Sequence, residues 1–149
     1  MRYRGGYKYQ LAKDEQFQTS FRPAVDIYTT RIWLTANGLL TVLEGYSWDG
    51  VSGPVIDRKT NMHGGLKHDA LYELMRKGLL DYKLWRQADY EFAKELEKHG
   101  AWRLTININI AGLKIANGKY AHPDQRKRVY TIDCPQARQD PDGISGWLP

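Results

Sequence analysis

The chain has 149 residues and 42% hydrophobic content with five tryptophans, which suits one domain with a core of its own. Its net charge of +5 is mild and spread along the chain, with local clusters at Met1–Lys8 and Gln125–Arg128. No helix-turn-helix or RNA-binding signature accompanies that charge, so a nucleic-acid partner is not expected. The single cysteine, Cys134, excludes an intrachain disulfide and leaves packing to hold the fold.

In chain order, Met1 to Phe21 is polar and aromatic without a clear period, which fits an arm or an edge strand. Its basic start is followed by no apolar run, so no secretory signal is expected, and no stretch approaches the roughly 18 apolar residues of a membrane span. Asp26 to Thr35 alternates and is rich in Ile, Tyr, Thr and Trp; Asn37-Gly38 and then Leu39 to Leu43 follow, a strong β-hairpin signal. The second strand runs into Gly45 to Pro54, where glycines and a proline predict an irregular loop. Leu66 to Lys77 and Leu84 to His99 read as helices, with the break at Gly78.

Ala101 to Ala116 carries two periods. Ile106, Ile108 and Ile110 alternate like a strand, whereas Trp102, Ile106, Ile110 and Leu113 follow helical spacing, and the length favours a helix. Tyr120 to Pro149 is polar and proline-punctuated, with Ile144, Trp147 and Leu148 at its end suited to docking or to fraying. The expected fold is α+β: an N-terminal β-hairpin and loop, then a three-helix core containing an antiparallel helix pair, with extended termini. The expected organisation is one domain over residues 1–133, with an N-terminal arm, and a tail over 134–149.

The chemistry concentrates on the helix pair. Residue numbers 68 and 89 are centred on 78.5, at the break, so His68 and Asp89 fall at one level of an antiparallel pair. Asp89 shares an apolar stripe with Trp85, Phe92 and Leu96, and His68 lies near Leu71, Tyr72 and Met75. An aspartate on such a stripe needs a partner, and a histidine opposite it is the obvious one. A His–Asp pair makes a general base; it also serves as a structural hydrogen bond between helices. Asp69 adds a second carboxylate beside the same centre, which suggests a base next to a hard-cation site. His63, His99 and His122 read as cap, helix-end and loop residues.

Three motifs carry a resemblance over Leu39 to Gly112: Trp48-Asp49-Gly50-Val51-Ser52-Gly53-Pro54, His68-Asp69-Ala70-Leu71-Tyr72 and Ala88-Asp89-Tyr90-Glu91-Phe92. In order and spacing they resemble an uncharacterised family found mainly in tailed phages and prophages. The same site is similar to that of phospholipase A2, whose helix pair carries H-D-x-x-Y and a partner aspartate behind a glycine-rich calcium loop. That resemblance implies a phospholipase A2-like helix pair with His68 as the catalytic base, Asp89 as its orienting carboxylate and Tyr72 as the tyrosine of the site. It further implies calcium held by the Asp69 carboxylate and by backbone carbonyls of Trp48, Gly50 and Ser52. The chain departs from the secreted enzymes in having no disulfides and fewer loop glycines.

Two functions follow as expectations. One is a phage virion protein of tail or capsid, structural or assembling, that keeps the phospholipase-like fold and docks on other virion proteins through its termini. The alternative is an active calcium-dependent acyl-ester hydrolase that meets a phospholipid membrane surface during phage entry or lysis. Either would be made in a host cytoplasm, the first to be incorporated into particles.

Overall fold

A computed structural model describes residues 3–4, 9–48, 59–116 and 118–125. Gly50, Ser52, Cys134 and the expected 134–149 tail lie outside those residues. The described part is α+β, with strands first and helices after. A three-stranded antiparallel sheet joins β1 (Tyr3–Arg4), β2 (Tyr9–Leu11) and β7 (Ser47–Trp48) in the order β1-β2-β7. A four-stranded antiparallel sheet has the order β3-β6-β5-β4, from β3 (Glu15–Gln18), β4 (Ile27–Tyr28), β5 (Ile32–Leu34) and β6 (Leu39–Val42).

The strand reading of Met1–Phe21 is the one the described residues adopt. β3 is an edge strand on β6, with Phe17 opposite Leu40, and Leu11, Phe17 and Phe21 are buried. The expected hairpin forms with Leu34 opposite Leu40 and Ile32 opposite Val42. The single strand expected over Asp26–Thr35 is instead folded on itself, with Ile27 opposite Leu34 and Tyr28 opposite Trp33. Thr29 makes that turn: its Oγ1 accepts from the Ile32 N–H at 2.9 Å, and its own N–H donates to the Ile32 carbonyl at 2.8 Å. A threonine hydroxyl closing a local turn competes with strand extension, and alternation alone does not reveal it.

Gly38 closes the β5–β6 turn with φ +84°, and its carbonyl accepts from both the N–H and the hydroxyl of Thr19, each at 2.9 Å. A Cβ there would lie 2.7 Å from the carbonyl oxygens of Phe21 and Thr19. Gly38→Ala is expected to lower stability by about 1–3 kcal/mol, from the left-handed backbone and from this crowding. Urea unfolding measures it.

Three helices follow: α1 (Lys59–Arg76), α2 (Trp85–Lys98), entered through a 3₁₀ turn at Tyr82–Leu84, and α3 (Arg103–Ala116). Helix α1 starts seven residues before the expected Leu66. Met62 is buried ahead of the Gly64-Gly65 pair, and a Cβ on Gly64 would sit 3.0 Å from the Phe92 ring. Close approach of α2 therefore offsets the low helix propensity of glycine. α1 ends where expected. Gly78 N–H bonds to the Met75 carbonyl and Leu79 N–H to the Leu74 carbonyl, both at 2.9 Å, a Schellman closure.

α1 is central. Leu66, Ala70, Leu71, Leu74 and Met75 are buried in one core cluster with Ile32, Leu34, Leu40 and Val42 of the sheet. α2 runs antiparallel to it: Gly64 meets Phe92 and Leu96, while Lys67 meets Glu91 and His68 meets Asp89. α3 packs against α2 and turns Asn109 inward.

Candidate active site

The helix pair brings His68 and Asp89 together as the sequence predicts. His68 Nε2 lies 2.9 Å from Asp89 Oδ1. The same Oδ1 accepts the Tyr72 hydroxyl at 2.8 Å, from one helical turn further along α1. One carboxylate oxygen thus anchors two residues of the H-D-x-x-Y motif, which the i, i+4 spacing puts on one face. The rings of His68 and Tyr72 stand 4.0 Å apart, and the Phe92 ring lies 5.4 Å from that of His68. That packing fixes the imidazole in one plane.

Asp69 leaves the helix on another side, and its Oδ1 is 3.8 Å from His68 Nδ1. This is an ion-pair separation beyond direct hydrogen-bond reach, so Nδ1 is not consumed by Asp69. Asp69 is also the more open carboxylate: its side chain is 25% exposed, against 13% for Asp89. One ring nitrogen is therefore spent on the buried anchor, and the other lies toward Asp69.

Burial lowers the basicity of His68, but the carboxylates of Asp69 and Asp89 outweigh it, and the net pKa lies above the ordinary histidine value. The Tyr72 hydroxyl is pushed far up by burial and then by the Asp89 charge, so it stays a proton donor at every ordinary pH. Tyr46, just before β7, was not legible as a neighbour. The pKa of its buried hydroxyl is raised well above normal by burial, then by the charges of Glu73 and Asp69.

Of the expected calcium ligands, Asp69 is a carboxylate beside the base, and Trp48 is in β7 with its side chain buried and its ring 5.7 Å from that of Tyr9. Gly50 and Ser52 lie outside the described residues. Among the described residues no three His, Cys, Asp or Glu side chains converge on a metal position. Two surface cavities of about 470 and 340 Å³ occur, and neither is lined by His68, Asp69 or Asp89.

A second polar cluster on the same seam escaped sequence reasoning. Lys67 Nζ donates to Glu91 Oε2 at 2.6 Å and lies 3.5 Å from Glu95 Oε2 and from the Gln18 carbonyl. Glu91 Oε1 also accepts the Ser20 N–H at 2.8 Å, tying α2 to the residues after β3. The arithmetic that paired His68 with Asp89 also pairs Lys67 with Glu91, whose numbers are centred on 79. Glu95 follows at i+4. Further along, the rings of His63 and His99 stack at 4.1 Å, and His99 Nε2 meets Glu95 Oε1 at 3.1 Å. His63 therefore packs in the helix seam where a cap was expected, and His99 sits at the C-terminal end of α2, the helix-end position expected of it.

No helix among the described residues is long and apolar enough to cross a membrane. Comparison with family models, with curated proteins and with solved structures gave no match.

Proposed function

We propose that the chain is a calcium-dependent acyl-ester hydrolase of phospholipid, with His68 as general base. One observation carries the reading: Asp89, itself held by the Tyr72 hydroxyl, takes His68 Nε2, while Nδ1 is left on the side of the more exposed Asp69. A purely structural pair has no need of a second carboxylate on the solvent side of the ring. In the proposed step, Nδ1 takes a proton from water as the water oxygen attacks the ester carbonyl. Asp89 stabilises the imidazolium, and the proton then passes to the leaving alcohol oxygen. The products are a fatty acid and a lysophospholipid. Tyr72 keeps the Asp89 carboxylate aimed at the ring.

The donor chemistry at Asp69 suits a hard cation, since calcium takes carboxylate and carbonyl oxygens in a flexible shell of about six to eight. Such an ion, when bound, would stabilise the oxyanion and the phosphate charge. The phage setting rests on the order and spacing of the three motifs.

Calcium titration by calorimetry is expected to show binding that Asp69→Asn removes. Fatty-acid release from mixed phospholipid vesicles should depend on that calcium. No binding at millimolar calcium would overturn the reading.

A virion structural or assembly role is the second reading, favoured by the buried Lys67–Glu91–Glu95 cluster that pins the same two helices. Under it the His68 pair would be one more clasp of the seam, and other virion proteins would be the partners.

A further inference from the structure

The outward face of α3 has no cover from the rest of the described fold. Leu104 is 66% exposed, Ile108 46% and Ile115 87%, and with exposed Ala111 they recur at spacings of four, three and four. That spacing draws one apolar stripe along the helix. Trp102, just ahead of the helix, is 79% exposed. The opposite face is already used, with Asn109 buried and Ile106, Ile110 and Leu113 half-buried. A helix apolar on both faces has a second partner to meet.

The charge around the stripe identifies that partner. Between Glu97 and Asp124 the sequence holds no carboxylate, whereas Arg103, Lys114 and Lys119 are exposed. Arg103 and Lys114 flank the stripe itself. Long basic side chains beside an apolar stripe reach outward to phosphate while their stems lie along the hydrocarbon. A tryptophan at the end of the stripe suits the boundary between headgroups and acyl chains. A second copy of α3 fits poorly, because it would bring the same cations and no carboxylate to answer them. A seam of 14 residues is also short for an isolated helix pair.

We propose that α3 lies in the plane of an anionic phospholipid surface, with Trp102, Leu104, Ile108 and Ile115 in the apolar layer and Arg103 and Lys114 at the phosphates. This contact does not depend on hydrolysis at His68.

The test is co-sedimentation of the full chain with vesicles in a calcium chelator, using phosphatidylglycerol mixed into phosphatidylcholine and phosphatidylcholine alone. Binding is expected to the anionic vesicles and to weaken as salt rises. Ile108→Gln with Ile115→Gln should lower it about tenfold or more, since both side chains are exposed and their loss leaves the core untouched. Arg103→Gln with Lys114→Gln should remove the preference for anionic lipid. His68→Gln should bind like the wild type, so a failed hydrolase reading and a failed membrane reading give different results.

Unchanged binding by the isoleucine variant, or no binding to anionic vesicles, overturns the proposal. So does a concentration-dependent dimer in ultracentrifugation that the isoleucine variant makes monomeric. Exposure of the stripe only after residues 126–149 are deleted would make the chain's own C-terminal segment the occupant, and would overturn it as well.

Discussion

Replacing His68 with Gln is expected to abolish ester hydrolysis while leaving the fold and calcium binding largely intact. Gln still reaches Asp89, which accepts at 2.9 Å from the present Nε2, but it takes no proton near neutral pH. Loss of a general base costs about 10²–10⁴-fold in rate. Asp89→Asn should give a smaller loss, since an amide keeps a hydrogen bond but neither fixes the tautomer nor stabilises the imidazolium. The pH profile adds an independent check. His68 is raised above the usual value of about 6.5. The neutral base therefore appears, and turnover rises, as pH climbs through a midpoint above that value.

The stability linkage runs the other way. A raised folded-state pKa contributes stability that is fully present below the unfolded value and is lost as pH rises through the folded one. His68→Gln should abolish both dependences. If the pair is only a structural clasp, both variants should mainly cost stability, about 1–3 kcal/mol for a damaged buried polar pair. Wild type would then release no fatty acid.

The helix pair was legible because its information is local and periodic. An apolar stripe on each side of Gly78 fixes the antiparallel sense, and an aspartate on that stripe demands a partner at the same level. The strand region was only half legible. Asn37-Gly38 announces its hairpin, but the Thr29 turn depends on a hydroxyl-to-backbone contact within a stretch whose rough alternation reads as one strand. The start of α1 was placed late because the apolar period is plain only from Leu66, whereas buried Met62 and the approach of Gly64 to Phe92 carry the helix ahead of it. Lys67 was missed for a different reason. A lysine beside a histidine reads as solvated surface, and only the depth of the seam shows it buried with its side chain 3% exposed. The second apolar face of α3 was present in sequence as the conflict between its two isoleucine periods, and the fold resolves that conflict as a helix with Ile106 and Ile110 half-buried and Ile108 exposed.

Lys67→Met is expected to be the most destabilising single change in the helix seam, at about 3–5 kcal/mol. Lys67 is the cation between two carboxylates whose side chains are each only 7% exposed. Without it Glu95 keeps Lys98 and His99, but Glu91 is left with the Ser20 N–H as its donor. Burial raises the pKa of both carboxylates; for Glu91, hydrogen bonds from Lys67 and Ser20 more than offset it, and for Glu95 the charges of Lys67 and Lys98 do. Both end below the usual value. Their contribution is therefore present above the unfolded pKa of about 4.3 and is lost as pH falls through the folded values. The deficit of Lys67→Met should be largest near neutral pH and should shrink in acid, where a protonated carboxyl needs no cation.

Urea unfolding at pH 7 and at pH 4 measures this directly. Adding Glu91→Gln to Lys67→Met should recover much of the loss at pH 7, because the amide oxygen still accepts from Ser20 while the stranded charge is gone. A cost below about 1 kcal/mol, or one that does not change with pH, would mean that water reaches the cluster and that the ion pairs do not hold the seam. The same seam sets the level at which His68 meets Asp89. A Lys67→Met protein that remains folded should therefore also lose turnover, and the Glu91→Gln partner should restore it in step with stability.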